Sequence, residues 1–193
     1  MSAFLGPIHF WLYNKIGRQE ALTKKVAGYA LKEGWIHDAK QYTKELPPLE
    51  EVIDVGNIHG WLQEQITDAE TRYADLVRTI TAGKPEHMEQ LLGVAYEFGQ
   101  ANAVARDATA TDIYKAFEDF FVNGMPCDRV NVVTSENDDE VVWEMTRDIH
   151  AGYWDGQTEA YYKMRSKVME GMLSDTPYEI KTMDDMHYQI KRR

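Results

Sequence analysis

The chain has 193 residues, 44% hydrophobic and 27% charged, with a formal net charge of −11. That length and balance fit one domain with a core of its own, and the acidic excess argues against nucleic acid or an anionic membrane surface as partner. A single cysteine, Cys127, excludes an intramolecular disulfide and the CxxC metal or haem motifs, and reads as a small buried hydrophobe. No stretch approaches the roughly 20 apolar residues of a membrane span, and the N-terminal stretch lacks the flanks of a signal peptide, so a cytoplasmic protein is expected.

From Pro7 to about Glu33 the residues Ile8, Leu12, Ile16, Val26, Ala30 and Leu31 recur at helical spacing, with Pro7 at a first helical position and Gly34 as a stop. A shorter helix is expected over residues 35–44. Pro47 and Pro48 open a long helix over 49–81, lined by Val52, Val55, Leu62, Ile66, Leu76 and Val77 and bent at Gly56-Asn57. Further helices are expected over 86–107 and 111–123, the second with Tyr114, Phe117 and Phe121 on its apolar face. The texture then changes. "RVNVV" (129–133), the polar turn "TSENDD" and "EVVWEMTR" (140–147) read as a hairpin. A helix over 156–173 carries Tyr161, Met164, Val168 and Met172 on one side. After Pro177, "YEIKTM" and "MHYQIK" flank Asp184-Asp185 as a second hairpin. The prediction is an α+β fold in a single domain, 1–193: a helical N-terminal half (1–124), then a small antiparallel sheet with an inserted helix (125–193).

An Ile-His pair stands just ahead of aromatic residues three times: in "GPIHFWLYNK" from Gly6, "GNIHGWLQEQ" from Gly56 and "RDIHAGYWDG" from Arg147. His9 shares a helix face with Leu12, Tyr13, Ile16 and Glu20. Glu20 lies about 16 Å along the axis at roughly 1.5 Å per residue, so Tyr13, and not Glu20, can share a site with His9. His59 falls in the angular sector of Val52, Ile66 and Val77, which predicts a core-facing side chain, with Gln63 and Glu70 beside the same line. His150 follows a strand, and Asp148 shares its face if the segment is extended. His37 and His87 read as surface residues, and His187 alternates with Tyr188 in the last strand.

Three histidines can hold a metal with an open position, but HExxH, HxH and His-x3-His are all absent. His9, His59 and His150 would have to come together from separate elements. A pocket walled by Trp11, Trp61, Tyr153 and Trp154, with the histidines as polar contacts, weighs above the metal cage. No GxSxG, GxGxxG or P-loop occurs, and "SENDDE" reads as a solvated turn.

Phe121-Val122-Asn123-Gly124 closes a helix. The hairpin with "DDEVVWEMTR", the helix "YYKMRSKVMEGML" and the hairpin "YEIKTMDDMHYQIKR" then follow. This order resembles the closing part of the 4-vinyl reductase type of small-molecule-binding domain, and is similar to the end of the L-2-amino-thiazoline-4-carboxylic acid hydrolase-like family. The resemblance implies an α+β domain enclosing a small ligand, with room for a metal. Those families place cysteines where this chain has His150 and the Met186-His187 pair, so roles resting on cysteine do not transfer.

The expected function is a small-molecule-binding domain whose pocket draws on His9, Trp11, Tyr13, His59, Trp61, Gln63, His150, Tyr153 and Trp154, with zinc, iron or haem as candidate cofactors. Two alternatives stay open: a metal- or histidine-assisted hydrolase of a small ring or amide, and a structural homodimer without a site.

Overall fold

Helix α1 (Pro7–Lys32) starts at Pro7 in the computed structural model, which describes residues 4–184 and 186–193. Gly6 is its extended N-cap, and the Gly6 N–H donates to His9 Nδ1 at 2.9 Å. Leu12, Ile16, Val26, Ala27 and Ala30 are buried, whereas Ile8 and Leu31, in the first and last turns, are exposed. The helix expected over 35–44 shrinks to a 3-10 turn, Ala39–Gln41. There the Asp38 carboxylate accepts the Lys40 N–H at 2.9 Å, a local bond that competes with helix.

The long helix expected over 49–81 divides into α2 (Leu49–Val52) and α3 (Ile58–Thr81). Asp54 Oδ1 takes the Gly56 N–H at 2.8 Å, and Asn57 Oδ1 caps α3 through the Gly60 N–H at 3.2 Å. These two side chains end one helix and start the next. Val52 and Val55 therefore stand at the break and are exposed. The later helices are shorter than their patterns suggested: α4 (His87–Gln100) and α5 (Ala110–Phe120). Thr109 and Asp112 form a capping box that sets the start of α5.

The sheet follows: β1 (Asn131–Glu136), β2 (Glu140–Met145), helix α6 (Thr158–Met172), β3 (Tyr178–Thr182) and β4 (His187–Arg192). Its order is β1-β2-β4-β3, antiparallel throughout. The α+β class and the hairpin-helix-hairpin order are as predicted; of the Asp184-Asp185 turn, Asp185 lies outside the described residues. One face buries Val141, Trp143, Met145, Tyr188 and Ile190. Trp143 and Tyr188 are register partners and stack at 5.1 Å, and α5 lays Tyr114 on Trp143, also at 5.1 Å. Cys127 is exposed, not buried. Among the described residues no helix is long and apolar enough to cross a membrane.

Two apolar groups make the core. The larger unites α4, α5, α6 and the sheet with the later turns of α1 and α3. The smaller joins their early turns, Leu12, Ile16, Leu62 and Ile66, to Leu49 and Val122. Arg72 pins α3 to α1: its guanidinium binds both Glu20 oxygens, Asp68 and the Tyr42 carbonyl. Helices α4 and α6 meet at Gly99 and Gly171. A Cβ on Gly99 would lie 2.1 Å from the Val168 carbonyl oxygen, and one on Gly171 would lie 2.1 Å from that of Tyr96. Gly99→Ala and Gly171→Ala should each cost about 1–3 kcal/mol by overpacking, read as a lowered urea midpoint; an unchanged midpoint would contradict this backbone contact.

Candidate functional site

Position 70 falls on the apolar stripe of α3, four residues after Ile66 and three before Tyr73, so the helix carries a glutamate into the core. On α6, Tyr161 and Arg165 are one turn apart and face the same region. The third contributor is the loop after β2. Asp148 Oδ1 accepts the N–H groups of His150 (2.9 Å) and Ala151 (3.1 Å) and the Tyr162 hydroxyl (2.9 Å). Asp148 thus builds the turn that presents His150; it is not a co-ligand on the same face.

Glu70 and His150 are each 1% exposed, with His150 Nδ1 3.2 Å from Glu70 Oε1. The two atoms lie close without hydrogen-bond alignment. Tyr161 stacks on the imidazole at 3.8 Å, Tyr162 meets it edge-on at 5.9 Å, and Trp154 lies edge-on to both Tyr73 and Tyr161. Arg165, 4% exposed, donates to Asn123 Oδ1 at 2.8 Å and to the Tyr161 hydroxyl at 3.3 Å, and lies over the Phe121 ring at 4.6 Å. Burial pushes the phenols of Tyr73 and Tyr161 up, so both keep their O–H across the physiological range.

Several polar atoms here have no hydrogen-bond partner among the described residues: both carboxylate oxygens of Glu70, both ring nitrogens of His150, the Tyr73 hydroxyl, Trp154 Nε1 and Arg165 Nε. Each such atom costs about 1–3 kcal/mol when buried. Two cavities flank the cluster and share Val122 as a wall. One, about 80 Å³, is lined by Gln63, Glu70, Asp128, His150 and Tyr153; the other, about 30 Å³, by Arg18, Gln19, Tyr73, Tyr161 and Arg165. Acidic side chains thus line the first and guanidinium groups the second.

A third cavity, about 170 Å³, shares Gly124 with the first and is lined by Trp11, Lys15, Glu118, Asn123, Arg129 and Asn131. Lys15 is 2% exposed, with Nζ 4.0 Å from the Trp11 ring centre. Burial pushes its ammonium down to about 8, against the pull of Glu118 and Asp119.

The residues expected to form one pocket are found in three places. His150, Gln63 and Tyr153 line the 80 Å³ cavity, and Trp154 packs beside it. His9 and His59 pair instead at the starts of α1 and α3, with rings 5.8 Å apart, and Tyr13 meets Trp61 at 5.9 Å in the same region. Trp11 belongs to the Lys15 cavity, its indole N–H donating to Asp119 at 2.8 Å. His59 is exposed rather than core-facing: in the first turn of α3 it is Ile58, Trp61 and Leu62 that turn to the smaller core group. His87, expected at the surface, is buried against Trp35 at 3.9 Å and bonds the Ile80 carbonyl at 2.9 Å. His37 is exposed as expected, and His187, at the start of β4, is exposed as well.

Among the described residues no three His, Cys, Asp or Glu side chains are grouped to hold a metal ion. His150 and Glu70 offer two donors, one fewer than catalytic zinc takes from protein, and an 80 Å³ cavity is far too small for a porphyrin. The His9–His59–His150 cage is therefore not assembled. Comparison of the chain with protein-family models, curated proteins and solved structures found no match. Glu70, Tyr73, Tyr161, Arg165 and Lys15 were absent from the expected site. Their sequence signal is a charge inside an apolar helical stripe: Glu70 after Ile66, Arg165 after Tyr161, and Lys15 beside Ile16.

Asp148→Ala should cost about 1–3 kcal/mol and speed amide exchange at His150, since one carboxylate holds the whole turn; exchange equal to the parent chain would contradict this. Lys15→Met should stabilise the fold. The folded chain holds this proton less tightly than the unfolded chain, whose lysine titrates near 10.5. The penalty is thus complete below pH 8, falls between about 8 and 10.5, and is gone above. The gain from Lys15→Met should follow that profile in denaturation measured at pH 7, 9 and 11; a pH-independent difference would contradict it.

Proposed function

We propose that the chain is a small-molecule-binding domain whose pocket is centred on Glu70, Tyr73, His150, Trp154, Tyr161 and Arg165. The observation that carries this reading is the convergence of buried, protein-unpaired polar atoms from α3, α6 and the His150 loop onto adjoining cavities. A fold that gives up stability by burying such groups in one place has a use for them. The pocket is histidine- and aromatic-lined, as the sequence suggested, but with one histidine instead of three. The ligand is a polar molecule of a few heavy atoms, with an amine or amide that donates to Glu70. The hairpin-helix-hairpin order quoted for the two ligand-binding families supports the same reading.

A thermal-shift screen of small amines, amides and amino acids tests it. A ligand of this class at a hundredfold excess over its Kd should stabilise the fold by about 2.7 kcal/mol, and Glu70→Gln and His150→Phe should each abolish the shift. If no compound shifts the transition, or the shift survives both substitutions, the proposal fails.

The 3.2 Å contact between His150 and Glu70 favours a second reading, histidine-assisted hydrolysis of a small amide. A carboxylate behind an imidazole stabilises the imidazolium formed when the ring takes a proton from attacking water. In this case the screen's ligand would be turned over, and Glu70→Gln would lower kcat with a smaller effect on KM. Binding without turnover leaves the first reading alone.

A further inference from the structure

The third cavity holds a group that neither reading uses. The Lys15 residue is almost wholly buried, yet no carboxylate lies within ion-pair distance of its amine among the described residues. Its neighbours are the Trp11 face and the cavity itself, with Glu118 and Arg129 on the same wall and Glu118, Arg165 and Asp119 within electrostatic reach. Glu118 is already engaged on one oxygen: Asn123 donates to Oε1 at 3.2 Å, and Asn131 donates to the same atom. The indole of Trp11 is tied to Asp119, so the aromatic wall is fixed. A structural lysine in a core would be paired, or would extend its stem to place the ammonium in water. Lys15 has no carboxylate in contact among the described residues; its ammonium lies over the Trp11 ring and on the wall of the cavity.

We propose that Lys15 is a reactive amine that captures a small aldehyde or ketone as an imine inside this cavity. The chemistry needs a neutral amine, space for a carbonyl compound and a group to move protons; the cavity supplies the space beside the amine, and Glu118 lies on its wall. The nitrogen lone pair attacks the carbonyl carbon and forms the C–N bond as the C–O π pair moves to oxygen. One N–H proton passes to that oxygen to give the carbinolamine. The second N–H proton and the hydroxyl group then leave as water while the C=N bond forms. Glu118, within electrostatic reach of Lys15, is placed to carry these protons. The lowered ammonium supplies free amine near neutrality, as in other desolvated lysines that make Schiff bases. Asn123 bonds both Glu118 and Arg165, so this cavity borders the central cluster through one side chain.

The test is reductive trapping on the full chain with propanal and sodium cyanoborohydride, followed by peptide mass spectrometry. At pH 7.5, Lys15 should be alkylated at least about tenfold faster than any exposed lysine, because far more of it is unprotonated. Its rate should saturate with propanal concentration and level off above about pH 8. Alkylation no faster than at exposed lysines, or a rate strictly linear in propanal, would overturn the proposal. Lys15→Met should remove the fast adduct while keeping the circular dichroism of the parent chain. A fast adduct that persists in that variant would also overturn it. Because the readout is the site of modification, it is independent of whether the Glu70–His150 pocket binds anything.

Discussion

Four ionisable side chains, Lys15, Glu70, His150 and Arg165, are drawn out of water within one region of the molecule, and the surrounding structure is arranged to hold them there. Each comes from a different element: α1, α3, the loop after β2, and α6. An unpaired charge in an apolar interior is expensive, so the burial must be offset by packing around it. Two apolar groups supply that packing on either side, one built on the early turns of α1 and α3 and the other on α4, α5, α6 and the sheet. The polar cluster lies at their junction.

A short stretch of chain forms the junction. Phe121 covers the Arg165 guanidinium, Val122 is a wall of both central cavities, and Asn123 joins Arg165 to Glu118. Gly124 borders the first and third cavities and has φ +73, where a side chain would be strained and a Cβ would meet Asp128 Oδ2 at 2.6 Å. Helix α5 ends at Phe120, where Phe121 turns to extended backbone, short of the residue 123 that the apolar pattern suggested.

Helix α3 carries two charged residues of opposite fate. Arg72 has its guanidinium matched by Glu20, Asp68 and a backbone carbonyl, a fully satisfied arrangement that ties α3 to α1. Glu70, two residues earlier and more deeply buried, has no aligned hydrogen bond. The contrast is between a side chain paired at every donor and one with no aligned hydrogen bond among the described residues. The close approach of α4 and α6 at Gly99 and Gly171 has a related effect: it sets the depth of α6, and with it the positions of Tyr161 and Arg165.

Periodicity, turn residues and strand texture alone determined the α+β class, the order of elements and the hairpin-helix-hairpin second half, because these follow from local pattern. His150, Gln63 and Tyr153, read as candidates from a strand end and from one helical line, line one cavity in the structure. The sequence could not show that Asp54 and Asn57 interrupt the helix over 49–81, since a side chain that can cap can also sit quietly in a helix. That break places His59, itself exposed, at the start of α3, where it pairs with His9 at the start of α1 and not with His150. Nor could it show that Glu70 meets His150 across 80 residues of chain, or that Lys15 has no carboxylate within ion-pair distance among the described residues. Burial and pairing depend on which elements pack together, and only the tertiary structure decides that.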